Sequence, residues 1–282
     1  MTQHGDTADD TRERLEVLYA NREFELLHYR LKGLPPSSRG KLQAIFTNAL
    51  LADTMAVATP AGPLSFVMLG RKTAGRASTL LTKQPGTIDW INSFRTDSVF
   101  WDVGANIGVY ALYAALRGGT KVVAFEPAAV NYFLLAANCE ANRLDASVDC
   151  LQVGLGGERA LARLEVSQFG PAQSFSFRPK DDRQLPSRQA ALILPMDQLI
   201  DDYGVPCPTY VKIDAPGMTQ AIIAGGSRTL QRREVRQIHV ELNDQSQGGR
   251  QVVEMLRTHG FGVVSRHPHG GSMDVTFARP GE

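Results

Sequence analysis

The stretch Asp102-Val103-Gly104-Ala105-Asn106-Ile107-Gly108 follows an apolar β-type run and precedes a helix-forming run over residues 109–116, so it reads as the turn of a strand–turn–helix unit. Gly104 can leave the strand in a backbone conformation closed to other residues, and Gly108 lets the new helix come close to the sheet. Eighteen residues past Gly108, and just after the run Val122-Val123-Ala124-Phe125, come Glu126 and Pro127. A carboxylate there can accept both hydroxyl protons of a ribose. Strand, glycine turn, helix, strand and acid predict a nucleoside-binding unit; a bare βα turn would not need the acid at that spacing.

Two side chains in the turn discriminate between nucleosides. Asn106 stands where dinucleotide turns usually keep a middle glycine, so it would crowd a diphosphate, yet it can bond an amino acid's carboxylate or ammonium group. Asp102 suits an ammonium group and repels phosphate. Both favour S-adenosylmethionine over NAD, and an NAD-dependent Rossmann enzyme is the weaker reading.

Methyl transfer from a sulfonium is an in-line displacement, which needs an aligned acceptor and a base for its proton. Lys212 and Asp214 alternate along one predicted strand and share a face, as do His239 and Glu241 on the next. Asp214 is the first candidate for the base and Glu241 the second, with Lys212 orienting a carboxylate or substrate oxygen. His239 is either catalytic or a hydrogen-bonded core histidine. The purely structural reading is that Lys212, Asp214 and Glu241 pair with one another at the sheet end. His267 and His269 sit in a Pro-Gly segment with no third ligand nearby in sequence, which predicts a solvated hairpin tip, and no metal site is assigned.

These residues need a scaffold. A helix is expected over residues 11–29 and another over 42–51, separated by a Gly/Pro/Ser break at 33–38; strands at 55–59 and 64–69 flank the turn 60–63. Residues 1–95 thus form an α+β segment, a candidate acceptor-binding or dimerisation cap. From residue 99 onward, strands at 99–103, 121–125, 148–153, 209–213 and 237–242 alternate with helical stretches, the pattern of a doubly wound, mostly parallel α/β sheet over 96–282. Residues 160–194 interrupt it as an inserted hairpin or lid. A helix is expected from Pro216 to Gln231, and strands at 260–264 and 273–277 predict an antiparallel edge.

The chain resembles the FkbM-type methyltransferases, S-adenosylmethionine-dependent enzymes of the class I Rossmann-like fold. The resemblance rests on residues 80–91, 99–110 and 123–127, on Asn138 and Asn142, on Met196-Asp197-Gln198-Leu199, on Val211-Lys212-Ile213-Asp214 and on His239-Val240-Glu241. It implies a seven-stranded sheet with an antiparallel C-terminal strand. It also implies that Asp102, Gly104, Ala105, Asn106 and Gly108 hold the methionine portion of the cofactor, and Glu126 with Pro127 its ribose. The activity it implies is O-methylation of a hydroxyl on a sugar or natural-product scaffold. The family usually places acids where this chain has Pro216 and Thr219, which argues against a Mg²⁺ site and opens an alternative: a cofactor-binding protein with weak or no transfer.

Composition narrows the partners. With 43% apolar and 21% charged residues in 282, the chain is an ordinary globular one, and Lys plus Arg at 30 against 29 acids leaves a net charge of +1. That is too little for non-specific nucleic-acid binding. Cys139, Cys150 and Cys207 form no C-x-x-C motif and are expected to be buried thiols. Without a secretory pattern near Met1 or a run of about 18 apolar residues, a cytoplasmic protein with no membrane contact is expected. The expected partner is a small-molecule or saccharide acceptor. The apolar stripe of the 11–29 helix must be covered by its own domain or by a second copy, which keeps a homodimer in view.

Overall fold

The computed structural model of the chain describes residues 22–23, 25–166, 171–173, 187–243, 245–269 and 271–281. Its contacts divide it into the units Met1–Ala52 and Asp53–Glu282. In the first, residues 25–32 are helical and Pro36–Ala52 forms α1, with a break between them at Gly33 and Pro35. Much of the helix expected at 11–29 lies outside the described residues.

The second unit opens with β1 (Thr54–Thr59) and β2 (Gly62–Val67), an antiparallel hairpin whose second strand starts two residues earlier than expected. α2 (Arg71–Ser78) and α3 (Pro85–Asn92) follow; proline at the start of α3 costs nothing, because a first-turn N–H has no helical partner. Next come β3 (Ser98–Val103), α4 (Val109–Leu116), β4 (Thr120–Phe125), α5 (Ala129–Ala141), β5 (Val148–Leu151), β6 (Gly154–Leu155), β7 (Ala160–Val166) and β8 (Ser187–Leu194). The chain continues through α6 (Met196–Asp201), β9 (Tyr210–Ile213), α7 (Thr219–Ala224), β10 (Gln237–Leu242), α8 (Gln247–Thr258), β11 (Gly262–His269) and β12 (Ser272–Ala278).

Seven strands form the main sheet in the order β11-β12-β10-β9-β3-β4-β5, all parallel except β12, which runs against both neighbours. β3 and β4 are apolar on both faces because helices cover both sides of a parallel sheet. The C-terminal hairpin forms as expected, but the reversed strand is internal and β11 takes the edge. Val275 and Phe277 of β12 are fully buried, whereas Val264 of β11 is exposed, so β12 is the strand with two sides to cover. His267 lies within β11 rather than at a tip, and its ring packs where a Cβ on Gly86 would stand, 2.5 Å away.

The boundary expected at 95/96 falls inside the second unit, because the β1–β2 hairpin packs on α4 and α5. α5 extends the hairpin's open edge with side chains: Asn138 accepts from Val67 N at 2.7 Å, and Asn142 accepts from Ser65 N at 2.8 Å and donates to Ser65 O at 2.7 Å. Two amides thus stand where a third strand would have bonded. Helix α4 is buried along nearly its whole length between this hairpin and the sheet, which is why it is apolar all round.

Within the expected insert, β7 and β8 pair antiparallel and β8 pairs with β6, so the hairpin is present; residues 167–170 and 174–186 of the insert lie outside the described set. The helix expected from Pro216 to Gln231 is only Thr219–Ala224. Its C-cap is Gly225, where a Cβ would lie 2.0 Å from Gly156 O, and a short 3₁₀ turn follows at Thr229–Gln231. Asp197 anchors that turn by accepting from Arg228 N, Thr229 N and the Thr229 hydroxyl. Of the three thiols, Cys139 is buried and Cys150 and Cys207 are half-buried.

Candidate active site

β3 ends at Val103, and the chain turns through Gly104 at φ +84°. A Cβ on Gly104 would lie 2.1 Å from Asp214 O, so glycine is required both for conformation and for the approach of the segment after β9. The N–H groups of Gly104 and Ala105 both donate to Phe125 O at 3.0 Å, which fastens the turn to the end of β4. Gly108, at φ +88°, caps α4, and Leu135 fills the space beside it. The close approach it permits is to a neighbouring helix, α5, through Leu135.

Asn106 is left-handed at φ +54°, and Glu126 explains why the turn tolerates it. The Glu126 carboxylate accepts from Asn106 N and from Ala128 N, both at 2.8 Å, so one acid closes the turn and orders the entry to α5. Burial pushes this carboxyl up to about 7, although both N–H bonds pull the other way. The Asn106 side chain is engaged within the chain: it donates to Gln173 O at 2.9 Å and accepts from Ile107 N at 3.1 Å. The carboxylate or ammonium contact expected of it would require those bonds to be given up.

Gly104, Asn106, Glu126, Pro127, Asp214 and Glu241 line one open cleft. It lies at the carboxyl ends of β3, β4, β9 and β10, where ligands of open α/β sheets bind. Phe125, Val153, Leu155, Leu164 and Met218 add apolar surface to its lining. A smaller recess adjoins it, lined by Ala105, Tyr110, Lys212 and Asp214 against the glycine turn. Arg76 and Lys83 face both spaces. They were not legible in the sequence, because cations on a short helix and the following turn carry no motif. A carboxylate beside apolar surface, with acids and cations around the glycine turn, is a donor and acceptor set that fits the ribose, adenine and zwitterionic tail of S-adenosylmethionine.

Of the expected site residues, Asp102, Gly108 and His239 line neither the cleft nor the recess. Asp102 is fully buried; neither carboxylate oxygen has a hydrogen-bond donor among the described residues, and the Lys212 ammonium lies 3.5 Å from Oδ1. The ammonium-holding role expected of Asp102 is therefore taken internally by Lys212, which also donates to Asp214 Oδ2 at 3.5 Å. Burial alone would push the Lys212 ammonium down, but the Asp214 and Asp102 carboxylates hold it above the usual lysine range. Lys212 is thus ion-paired with both Asp102 and Asp214, and Asp214 remains at the cleft surface, partly exposed.

His239, the weakest of the catalytic candidates, is buried. Its ring nitrogens lie 2.9 Å from the hydroxyls of Thr87 and Thr276, and the ring stacks on Trp90 at 4.6 Å. Both nitrogens are used, and the residue is almost wholly buried. Glu241, one step along β10 toward the cleft, accepts from Gln84 Nε2 at 3.0 Å and keeps its place on the cleft wall. Among the described residues no group of three or more His, Cys, Asp or Glu side chains is arranged to hold a metal, and no helix is long and apolar enough to cross a membrane.

The methyltransferase FkbM domain family matches residues 102–263, more than half of the chain. The chain belongs to this family. FkbM-family proteins are S-adenosylmethionine-dependent methyltransferases with a Rossmann-like fold, and the seven-stranded mixed sheet found here is that fold. The FkbM-family chain is 30% identical over 196 residues to the 31-O-demethyl-FK506 methyltransferase FkbM of Streptomyces tacrolimicus, covering 61% of this chain and 75% of that protein. It is 27% identical over 135 residues to the hexuronic acid methyltransferase AglP of Haloferax volcanii, covering 48% of this chain and 52% of that protein. The match to the AMB antimetabolite synthetase AmbE of Pseudomonas aeruginosa spans 10% of that protein. Among solved structures, a methyltransferase FkbM from Methylobacillus flagellatus is similar at 15% identity over 66% of this chain and 45% of that one, with a TM-score of 0.46.

Proposed function

We propose that this methyltransferase moves a methyl group from S-adenosylmethionine to a hydroxyl oxygen of a sugar or natural-product scaffold. One observation carries the reading: Asp214 lies on the wall of the recess against the glycine turn, of the main cleft, and of an outer chamber beyond it, so it stands where donor and acceptor would meet. The named activities of two relatives, a 31-O-demethyl-FK506 methyltransferase and a hexuronic acid methyltransferase, support transfer to small oxygen-rich acceptors.

Bound in the cleft, S-adenosylmethionine supplies an electrophilic methyl group on a sulfonium centre. Glu126 would accept the ribose hydroxyl protons while its N–H bonds to Asn106 and Ala128 hold it still. The apolar surface of Phe125, Leu155 and Met218 would exclude water from the base. Asp214 would accept the acceptor's hydroxyl proton at a carboxylate oxygen, with Lys212 fixing the other oxygen through its 3.5 Å contact. Glu241, steadied by Gln84, is the second candidate for that proton.

The test has two stages. Titration calorimetry with S-adenosylhomocysteine should show binding, and its absence would sink the reading. Asp214→Asn should then lower kcat by about 10²–10⁴-fold, the usual share of a positioned base; full turnover would pass the role to Glu241. Pro216 and Thr219 both line the outer chamber, and this keeps a second reading, a cofactor-binding protein without transfer. Cofactor binding with no methyl transfer to any hydroxylated acceptor would favour it.

A further inference from the structure

Among the described residues that line the recess against the glycine turn, the charged ones are three cations, Arg76, Lys83 and Lys212, and one acid, Asp214. The turn itself has no N–H left for an anion. Gly104 N and Ala105 N donate to Phe125 O, Asn106 N to Glu126, Ile107 N to Asn106 Oδ1 and Gly108 N to Ala105 O. Charge for an anion at the turn therefore comes from side chains. Two of the three cations are already committed: Lys212 is shared between Asp102 and Asp214, and Arg76 donates through Nε to Ala172 O at 2.8 Å and acts on the Glu126 carboxylate. The exposed Lys83 ammonium makes no hydrogen bond or ion pair with any described residue. Its backbone is nonetheless fixed, because Lys83 N donates to Thr79 O at 2.8 Å and the side chains of Leu80 and Gln84 on either side are buried.

We infer that Lys83, from the turn between α2 and α3, holds the carboxylate of the cofactor's amino-acid tail. The inference rests on the reading that the cleft takes S-adenosylmethionine with its ribose on Glu126. From the ribose the ligand has two ends. The adenine finds apolar surface on Phe125, Leu155 and Met218, whereas the amino-acid end is charged and belongs with the charged groups of the recess. A carboxylate beside Lys83 gains a charge-assisted contact without breaking any bond the described residues make. At Lys212 it would compete with two acids already within 3.5 Å, and at Arg76 with Ala172 O. The Asn106 amide, expected to share in holding this end, is engaged with Gln173 O and Ile107 N. Lys83 thus sets the preference for a ligand that keeps its carboxylate, and the exposure of its ammonium makes that preference sensitive to salt.

The test is calorimetry on the full chain with two ligands that differ only in this group: S-adenosylhomocysteine and its decarboxylated analogue, which keeps the adenosine, the thioether and the amine. The parent chain should bind S-adenosylhomocysteine about tenfold more tightly than the analogue, a ratio that shrinks as salt is added. Lys83→Met should weaken S-adenosylhomocysteine by about the same factor and leave the analogue's affinity unchanged. Lys83→Arg, which restores the charge, should keep most of the parent's ratio. Equal weakening of both ligands by Lys83→Met overturns the inference, because the loss would then lie in the fold or at the adenosine end. An unchanged affinity for S-adenosylhomocysteine in that variant overturns it too, as does a parent chain that binds the two ligands equally. Failure of the parent chain to bind either ligand strikes the cofactor reading instead, and the parent titrations separate the two.

Discussion

The Lys212 ammonium lies 3.5 Å from the Asp102 carboxylate, and both side chains are almost wholly buried in adjacent parallel strands. Such a pair is costly to assemble and costlier to break, because either partner left alone is an uncompensated charge inside the sheet. Lys212→Met should therefore lower stability by about 3–5 kcal/mol, and Asp102→Asn in the same chain should recover much of that. Urea denaturation of the two single variants and the double variant measures the coupling. The lysine's raised value also sets an alkaline limit: its contribution is complete below about 10.5, the ordinary lysine value, and is lost as pH rises through the higher folded value.

Glu126 gives a pH dependence in the cofactor range. Its folded value of about 7 means that the carboxyl gains a proton as pH falls through neutrality. A protonated carboxyl loses acceptor capacity for ribose hydroxyls. S-adenosylhomocysteine affinity should thus fall between pH 8 and pH 6, and Glu126→Gln should bind weakly with that slope removed. Calorimetry at several pH values checks both.

His239 separates stability from catalysis. His239→Leu strands the hydroxyls of Thr87 and Thr276 and loses the stack on Trp90, so a cost of about 2–4 kcal/mol is expected. Turnover per folded molecule should stay near that of the parent chain. A large drop in kcat without loss of stability would return the histidine to the catalytic set.

Gly104→Ala places a methyl where Asp214 O already lies, at a φ of +84° that alanine adopts only with strain. The turn would have to move away from the segment after β9, and a loss of about 3 kcal/mol or more is expected. The melting temperature and S-adenosylhomocysteine affinity should fall together, because the same contact supports the sheet and shapes the cleft.

Asn138→Ala would leave the buried Val67 N–H and Ile107 C=O without their amide partner. A cost of about 2–4 kcal/mol follows from two stranded backbone groups. Amide exchange at Val67 should accelerate well beyond that in β4, which the substitution does not touch.

Much of this was legible in the chain itself. The strands β3 and β4 are mostly apolar runs, and Gly104, Gly108 and Glu126 have the spacing of a nucleoside-binding turn, so sheet class and turn follow from local pattern. The pair Asn138 and Asn142 was visible as part of a family resemblance, but its purpose was not: an amide that completes the edge of β2 is known only once α5 is laid beside that strand.

Sequence by itself determined which residues could be charged, which had to be buried, and where the chain had to turn, because those depend on side-chain chemistry and short-range backbone geometry. Tertiary structure alone decided which of two acids faces the cleft: the parallel register sets Asp102 of β3 beside Lys212 inside the sheet, while Asp214, just past the end of β9, shares that lysine and stays partly exposed. It likewise decided that His239 ends between two threonines contributed by α3 and β12, and that Arg76 and Lys83 reach the cleft from a helix and turn outside the sheet. Contacts between residues far apart in the chain have no local signature, and the meeting of cations and acids in this site is made of such contacts.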